Sequence, residues 1–125
     1  MTGLGAFEGQ KYLNLETFRK NGKGVRTPVW FAAAPRGPLY VYSTADSGKA
    51  KRIRNSGVCK IAPCDGRGKV SGAWIDARAE FVTGDEAARG MGLINRKYWP
   101  VKLLFDLFIY LSKHHERVVI AIYPG

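Results

Sequence analysis

The sequence predicts a mainly β protein: a six-stranded closed or split β-barrel with short peripheral helices, in a single domain spanning residues 1–125. Three observations predict it. Six segments carry strand patterning, glycine-rich turns separate several of them, and only three segments have helical spacing.

Tyr12 to Arg19 mixes β-branched, aromatic and polar residues, and the Asn21-Gly22-Lys23-Gly24 turn follows it. Its residues tolerate positive φ, so Val25 to Ala34 reads as the second strand of a hairpin. Pro28 lacks an amide donor, which suits an edge or a bulge. Pro35-Arg36-Gly37-Pro38 then turns the chain into a third strand, Leu39 to Thr44. Val58 to Cys64 is a fourth, and Asp65-Gly66-Arg67-Gly68 leads from it towards a fifth.

That fifth strand, Ala73 to Phe81, alternates by parity. Ala73, Ile75, Ala77, Ala79 and Phe81 take one face, and Trp74, Asp76, Arg78 and Glu80 the other. Such alternation marks an antiparallel strand with one buried face. Arg117 to Tyr123 is the sixth strand. Helices are expected at Ser47 to Asn55, capped by Asp46 or Ser47, and at Gly84 to Asn95, with Asp85 and Glu86 in the first turn. A third helix follows Trp99. Val101, Leu104, Phe105, Phe108 and Leu111 recur at helical spacing, but Leu103, Leu107 and Ile109 widen that stripe almost to the full circumference. A helix so apolar needs burial, and a chain of 125 residues offers little core, so help from a second chain is expected.

Charge is unevenly distributed. Residues 1–60 carry eleven Lys and Arg against three acids, and residues 61–125 carry nine against seven. The net +8 of the first half predicts an anionic partner. No apolar run reaches the ~20 residues of a membrane span. No leader is read at the N-terminus, and two cysteines, Cys59 and Cys64, suit a reducing cytosol better than a disulfide scaffold.

The stretch richest in chemistry runs Ser43-Thr-Ala-Asp-Ser-Gly-Lys-Ala-Lys-Arg-Ile-Arg54. It leaves a strand, passes hydroxyls and a glycine, and opens a helix bearing Lys49, Lys51, Arg52 and Arg54. Free helix amides, hydroxyls and cations together suit a phosphate; a solvated basic helix face is the plainer reading. It is not a Walker loop, which needs GxxxxGK[ST]. In Arg26-Thr-Pro-Val-Trp-Phe31, Thr27 and Pro28 can meet a flat ring near Trp30, although ordinary sheet packing explains the same residues. Cys59 and Cys64 have no partner cysteines for zinc. His114 and His115 read as a helix C-terminal cap or a surface pair, and Asp76 and Glu80, with Arg78 between them, as a charge ladder. No acid–base or nucleophilic constellation is evident, so an enzyme here would depend on a bound phosphorylated cofactor.

Taken in order, Tyr12–Gly22, Arg26–Phe31, Asp46–Arg54 and Ile61–Gly68 resemble the pyridoxamine-phosphate-oxidase-like (FMN-binding) split-barrel superfamily. More narrowly, they resemble its actinobacterial deazaflavin (coenzyme F420)-dependent oxidoreductases of the B group. A cytoplasmic location is expected from the cysteines, and the resemblance implies a homodimer with two cofactor sites at the subunit interface. It implies a coenzyme phosphate against Ser47, Gly48, Lys49, Lys51 and Arg52, beside Thr44. It also implies a ring over Thr27, Pro28, Val29 and Trp30 and against Ala62, Pro63 and Cys64. Arg54, Lys60 and Arg26 are the candidates for the coenzyme's polyanionic tail. The chemistry implied is hydride transfer from reduced F420 to a small organic substrate, with no metal; catalytic residues are not assigned. Relatives hold FMN, FAD or haem on the same scaffold, so FMN is the alternative cofactor. Two further readings remain: a single-strand nucleic-acid-binding barrel, disfavoured because no aromatic stacking stripe is evident, and a Trp99–Lys113 helix lying on an anionic membrane.

Overall fold

The computed structural model describes residues 4–35, 37–111 and 116–125. A 3-10 turn, Leu4–Phe7, precedes β1 (Tyr12–Phe18), β2 (Gly24–Val29), β3 (Ala32–Ala33) and β4 (Leu39–Thr44). Helix α1 (Gly48–Asn55), β5 (Val58–Cys64), β6 (Ile75–Val82), α2 (Gly84–Tyr98), α3 (Val101–Leu111) and β7 (Arg117–Pro124) complete the chain.

Seven strands form one antiparallel sheet in the order β2-β1-β5-β6-β7-β4-β3, one more than the sequence predicts. The expected second strand is two, because pairing stops at Trp30 and Phe31. The outermost strands β2 and β3 are therefore consecutive in the chain, so the sheet must curl until its edges approach. Pro28 does lie on an edge strand, with its missing donor turned away from β1. The fifth predicted strand starts two residues late, at Ile75, and α2 runs three residues past the predicted Asn95.

Strand parity separates two cores. Leu13, Leu15, Val41, Cys59, Ile61, Ile120 and Ile122 fill the barrel interior and are fully buried. Ala32, Tyr40, Val119 and Ala121 face outwards and are covered by Ile94 and Tyr98 of α2. That helix approaches closely because Gly90 has no side chain; a Cβ there would lie 2.9 Å from the Tyr40 ring. Helix α1 closes one end of the barrel with Ala50 and Ile53. Within the chain, α3 is not buried as its composition predicts: Leu103, Leu104 and Leu107 are all more than half exposed. His114 and His115 lie outside the described residues.

Candidate functional site

The break between β2 and β3 creates the site. Phe31 leaves the ladder, and α2 satisfies its backbone instead. The Tyr98 hydroxyl accepts from Phe31 N–H (3.0 Å) and lies 2.9 Å from Phe31 O and 2.6 Å from Lys11 O. Lys97 Nζ donates to Phe31 O at 2.8 Å and sits 3.5 Å from the centroid of the Phe31 ring. The stem of Lys97 is in solvent while its ammonium is tucked against the ring, and this burial lowers its pKa to about 8. Tyr98 also stacks on Trp30, with ring centroids 4.7 Å apart and planes at 11°. Helix α2 thus fixes Trp30 at the rim of the split.

Beside Trp30, the outer edge of β2 faces the part of β4 that β3 does not reach. Strand β3 pairs with only Leu39 and Tyr40, so Tyr42, Ser43 and Thr44 have no neighbour on that side. Edge strands present unpaired N–H and C=O groups. Between them lies a cavity of about 290 Å³ lined by Tyr12, Pro28, Val29, Trp30, Tyr42, Ser43, Thr44, Lys49 and Arg117.

Lys49 enters this cavity from the first turn of α1. Ser47 caps that helix, its Oγ accepting from Ala50 N–H at 3.1 Å, and touches Ser43 Oγ at 2.7 Å. Burial, and then the nearby Arg52 guanidinium, push the Lys49 pKa below the ordinary lysine value. Among the described residues no carboxylate pairs with it. Arg52 donates from Nε to Thr17 Oγ1 at 2.6 Å, tying α1 to β1. Arg117 enters from β7, held by Asp106 Oδ1 at 2.8 Å and lying over the Tyr42 ring at 5.4 Å. Burial, followed by the nearby Asp106 charge, raises the Tyr42 pKa to about 12, so its hydroxyl stays protonated at neutral pH.

Of the predicted site residues, the structure brings Pro28, Val29, Trp30, Thr44 and Lys49 to the cavity wall. Ser47 and Arg52 stand behind Lys49. Arg52 lies over Gly48, with a guanidinium nitrogen 2.8 Å from where a Gly48 Cβ would be. Lys51 is exposed and outside the lining. Thr27 faces the interior opposite Leu15, and its Oγ1 is buried without a hydrogen-bond partner. Ala62, Pro63 and Cys64 are buried on β5, two strands away from β2, and do not line the cavity. Gly72 packs directly over Pro63. The three tail candidates are already engaged: Arg26 with Glu16 (3.2 Å), Arg54 with Ala45 O (2.6 Å), and Lys60 more loosely with Asp76 (4.0 Å).

Sequence reasoning missed Tyr12, Tyr42 and Arg117 as lining residues, and Lys97 and Tyr98 as supports of Trp30 and Phe31; Ser43 opened the predicted phosphate stretch but was not singled out. Neither thiol is activated: burial raises the Cys59 pKa to about 12, and burial and then Asp65 raise that of Cys64.

These residues suit a flat, phosphorylated heterocycle. Trp30, Pro28 and Val29 offer an apolar wall, the β2 and β4 edges offer backbone donors and acceptors, and Lys49 offers an unneutralised cation. No protein-family model matches the chain, and neither does any curated protein. Solved structures do. The Vibrio cholerae heme storage protein HutZ superposes with a TM-score of 0.70 at 13% identity, covering 94% of this chain and 84% of its own. A Listeria innocua protein named as a pyridoxamine 5′-phosphate oxidase gives 0.67 at 16% identity, with 98% and 90% covered. The fold is that of the pyridoxamine-phosphate-oxidase-like split barrels. An F420 reductase shares it too, with a TM-score of 0.62 at 19% identity, 98% of this chain and 92% of that chain being covered. At such identities the likeness establishes the fold alone.

Proposed function

We propose that this split barrel is an F420-dependent oxidoreductase that binds the reduced deazaflavin between β2 and β4 and directs its hydride to a small organic substrate. One observation carries the reading: Lys49, with no carboxylate partner among the described residues, brings an ammonium into a cavity whose other wall is a held aromatic ring. The sequence resemblance and the structural likeness to an F420 reductase support it. The coenzyme would supply the hydride chemistry when bound.

The chain's residues bind and orient. Lys49, aided by Arg52 and the Ser47–Ser43 hydroxyl pair, holds the phosphate; Pro28, Val29 and Trp30 position the ring. Arg117 presents its remaining N–H groups to an electron-rich oxygen, and the Tyr42 hydroxyl can donate a hydrogen bond beside it. A second copy of the chain closing the open side of the cavity belongs to the same proposal. FMN is the alternative ligand, since it offers the same phosphate and a similar ring.

Fluorescence titration of cofactor-free protein with F420, and separately with FMN, tests the assignment. Saturable F420 binding at physiological salt, with FMN at least tenfold weaker, is expected. Tighter FMN binding would move the assignment to the flavin. Binding of neither would remove it.

A further inference from the structure

The described side chains of helix α3 are arranged inside out. Its charged residues face the protein: Lys102 is 1% exposed, its Nζ 2.7 Å from Asp106 Oδ2 and 4.9 Å from the centroid of the Tyr42 ring. Among the apolar side chains described, Val101, Leu103, Leu104 and Leu107 are 56–69% exposed, and Trp99, just before the helix, 67%. Turning the helix to bury its leucines would break the Lys102–Asp106 and Asp106–Arg117 pairs. Those pairs favour the orientation that leaves these leucines outward.

We propose that this face docks on an anionic membrane surface, lying in the interfacial plane. Eleven residues make a helix about 16 Å long, roughly half the ~30 Å hydrocarbon thickness. No helix among the described residues is long and apolar enough to cross. The charge complements such a surface. The protein carries a net +10. Arg96, near the start of the patch, is exposed and has no acidic partner among the described residues. Asp106, the one acid between residues 96 and 107, is bound to two cations. A second copy would bring the same positive charge. These five residues alone expose on the order of 500 Å², more than a scattering of single surface apolar residues. Trp99 stands at the rim, where indole rings favour the headgroup level.

The full chain is tested by co-sedimentation with vesicles of phosphatidylglycerol and phosphatidylcholine, and of phosphatidylcholine alone, with its oligomeric state followed by analytical ultracentrifugation. Partition at least tenfold stronger onto the anionic vesicles, and weakened by salt, is expected. The double variant Leu104→Glu/Leu107→Glu should lose tenfold or more of that partition with unchanged circular dichroism and oligomeric state. Quenching of tryptophan emission by brominated lipid, lost in Trp99→Phe, reads the same contact without touching the leucines, and decides the matter if the double variant fails to fold. The proposal is overturned if the wild type ignores every vesicle. It is equally overturned if the double variant keeps its vesicle partition, or dissociates a dimer into monomers, which would assign the face to a second copy.

Discussion

Lys102 and Lys49 are both withdrawn from solvent, and the fold treats them in opposite ways. Lys102 on α3 is almost fully buried and is given a carboxylate at 2.7 Å, which also holds Arg117. Lys49 on α1 is half-buried beside Arg52 and has no carboxylate partner among the described residues. Leaving a desolvated cation unpaired costs stability, and pairing it restores the balance only when the geometry is good. Lys102 is therefore structural: its charge is satisfied internally and it orients a wall of the cavity. Lys49 has the electrostatics of a group completed by something outside the chain.

The largest expected effect breaks the structural side of this comparison. Asp106→Asn should lower the unfolding free energy by about 3 kcal/mol, because it strands the Lys102 charge and releases Arg117. Adding Lys102→Met should recover most of that loss, since an apolar side chain leaves nothing unpaired. Urea denaturation of both variants checks this, and equal stabilities for the single and double variants would contradict it.

Lys49→Ala probes the other side. It should leave stability unchanged or slightly raised while weakening coenzyme binding by about 1.5–3 kcal/mol, the range for charge-assisted hydrogen bonds. Arg52→Ala should weaken binding similarly but also lower stability, because Arg52 ties α1 to Thr17. Calorimetric titration alongside thermal melts separates the two. Unchanged affinity in Lys49→Ala would remove the functional half of the comparison.

The smallest effect is in the pH profile. The Asp106 pKa is lowered overall: burial raises it, but the hydrogen bonds and charges of Lys102 and Arg117 outweigh that. Its contribution is present above the unfolded carboxylate pKa of about 3.9 and is lost as pH falls through the lower folded value. Lys97 has the opposite polarity. With a folded pKa of about 8 against about 10.4 unfolded, the unfolded chain binds more protons between those values, so stability rises with pH there. Because its side chain is half in solvent, the gain is on the order of a few tenths of a kcal/mol. Tyr40, Tyr42 and Tyr98, raised to about 12 by burial first of all, turn the profile downwards above about pH 10. Melts from pH 7 to 11 should show the rise in the wild type and a flatter curve in Lys97→Gln.

Much of the frame was legible from local chemistry. The positive-φ turn at Gly22, the Ser47 cap and the alternation through Ala77 and Ala79 each follow from neighbouring residues. The Lys60–Asp76 cross-strand pair gives substance to the expected charge ladder. The break at Trp30 was not legible, because nothing local distinguishes a strand that ends there from one that runs on. What ends it is Tyr98, 67 residues away, taking over the backbone of Phe31. Arg117 and Tyr42 were missed for the same reason: their roles depend on which strands meet across the split.

The sequence by itself determined the strand and helix segments, the basic first half, and the hydroxyl-glycine-lysine entry to α1, since turns, caps and alternation are decided by residues a few positions apart. Only the tertiary structure decided that Lys49 would be half-buried without a carboxylate among the described residues, and which way the described side chains of α3 would face. Both depend on desolvation and on partners distant in sequence: Asp106 could satisfy Lys102 and Arg117 only once α3 lay beside Tyr42 and Arg117, and among the described residues no acid reaches Lys49.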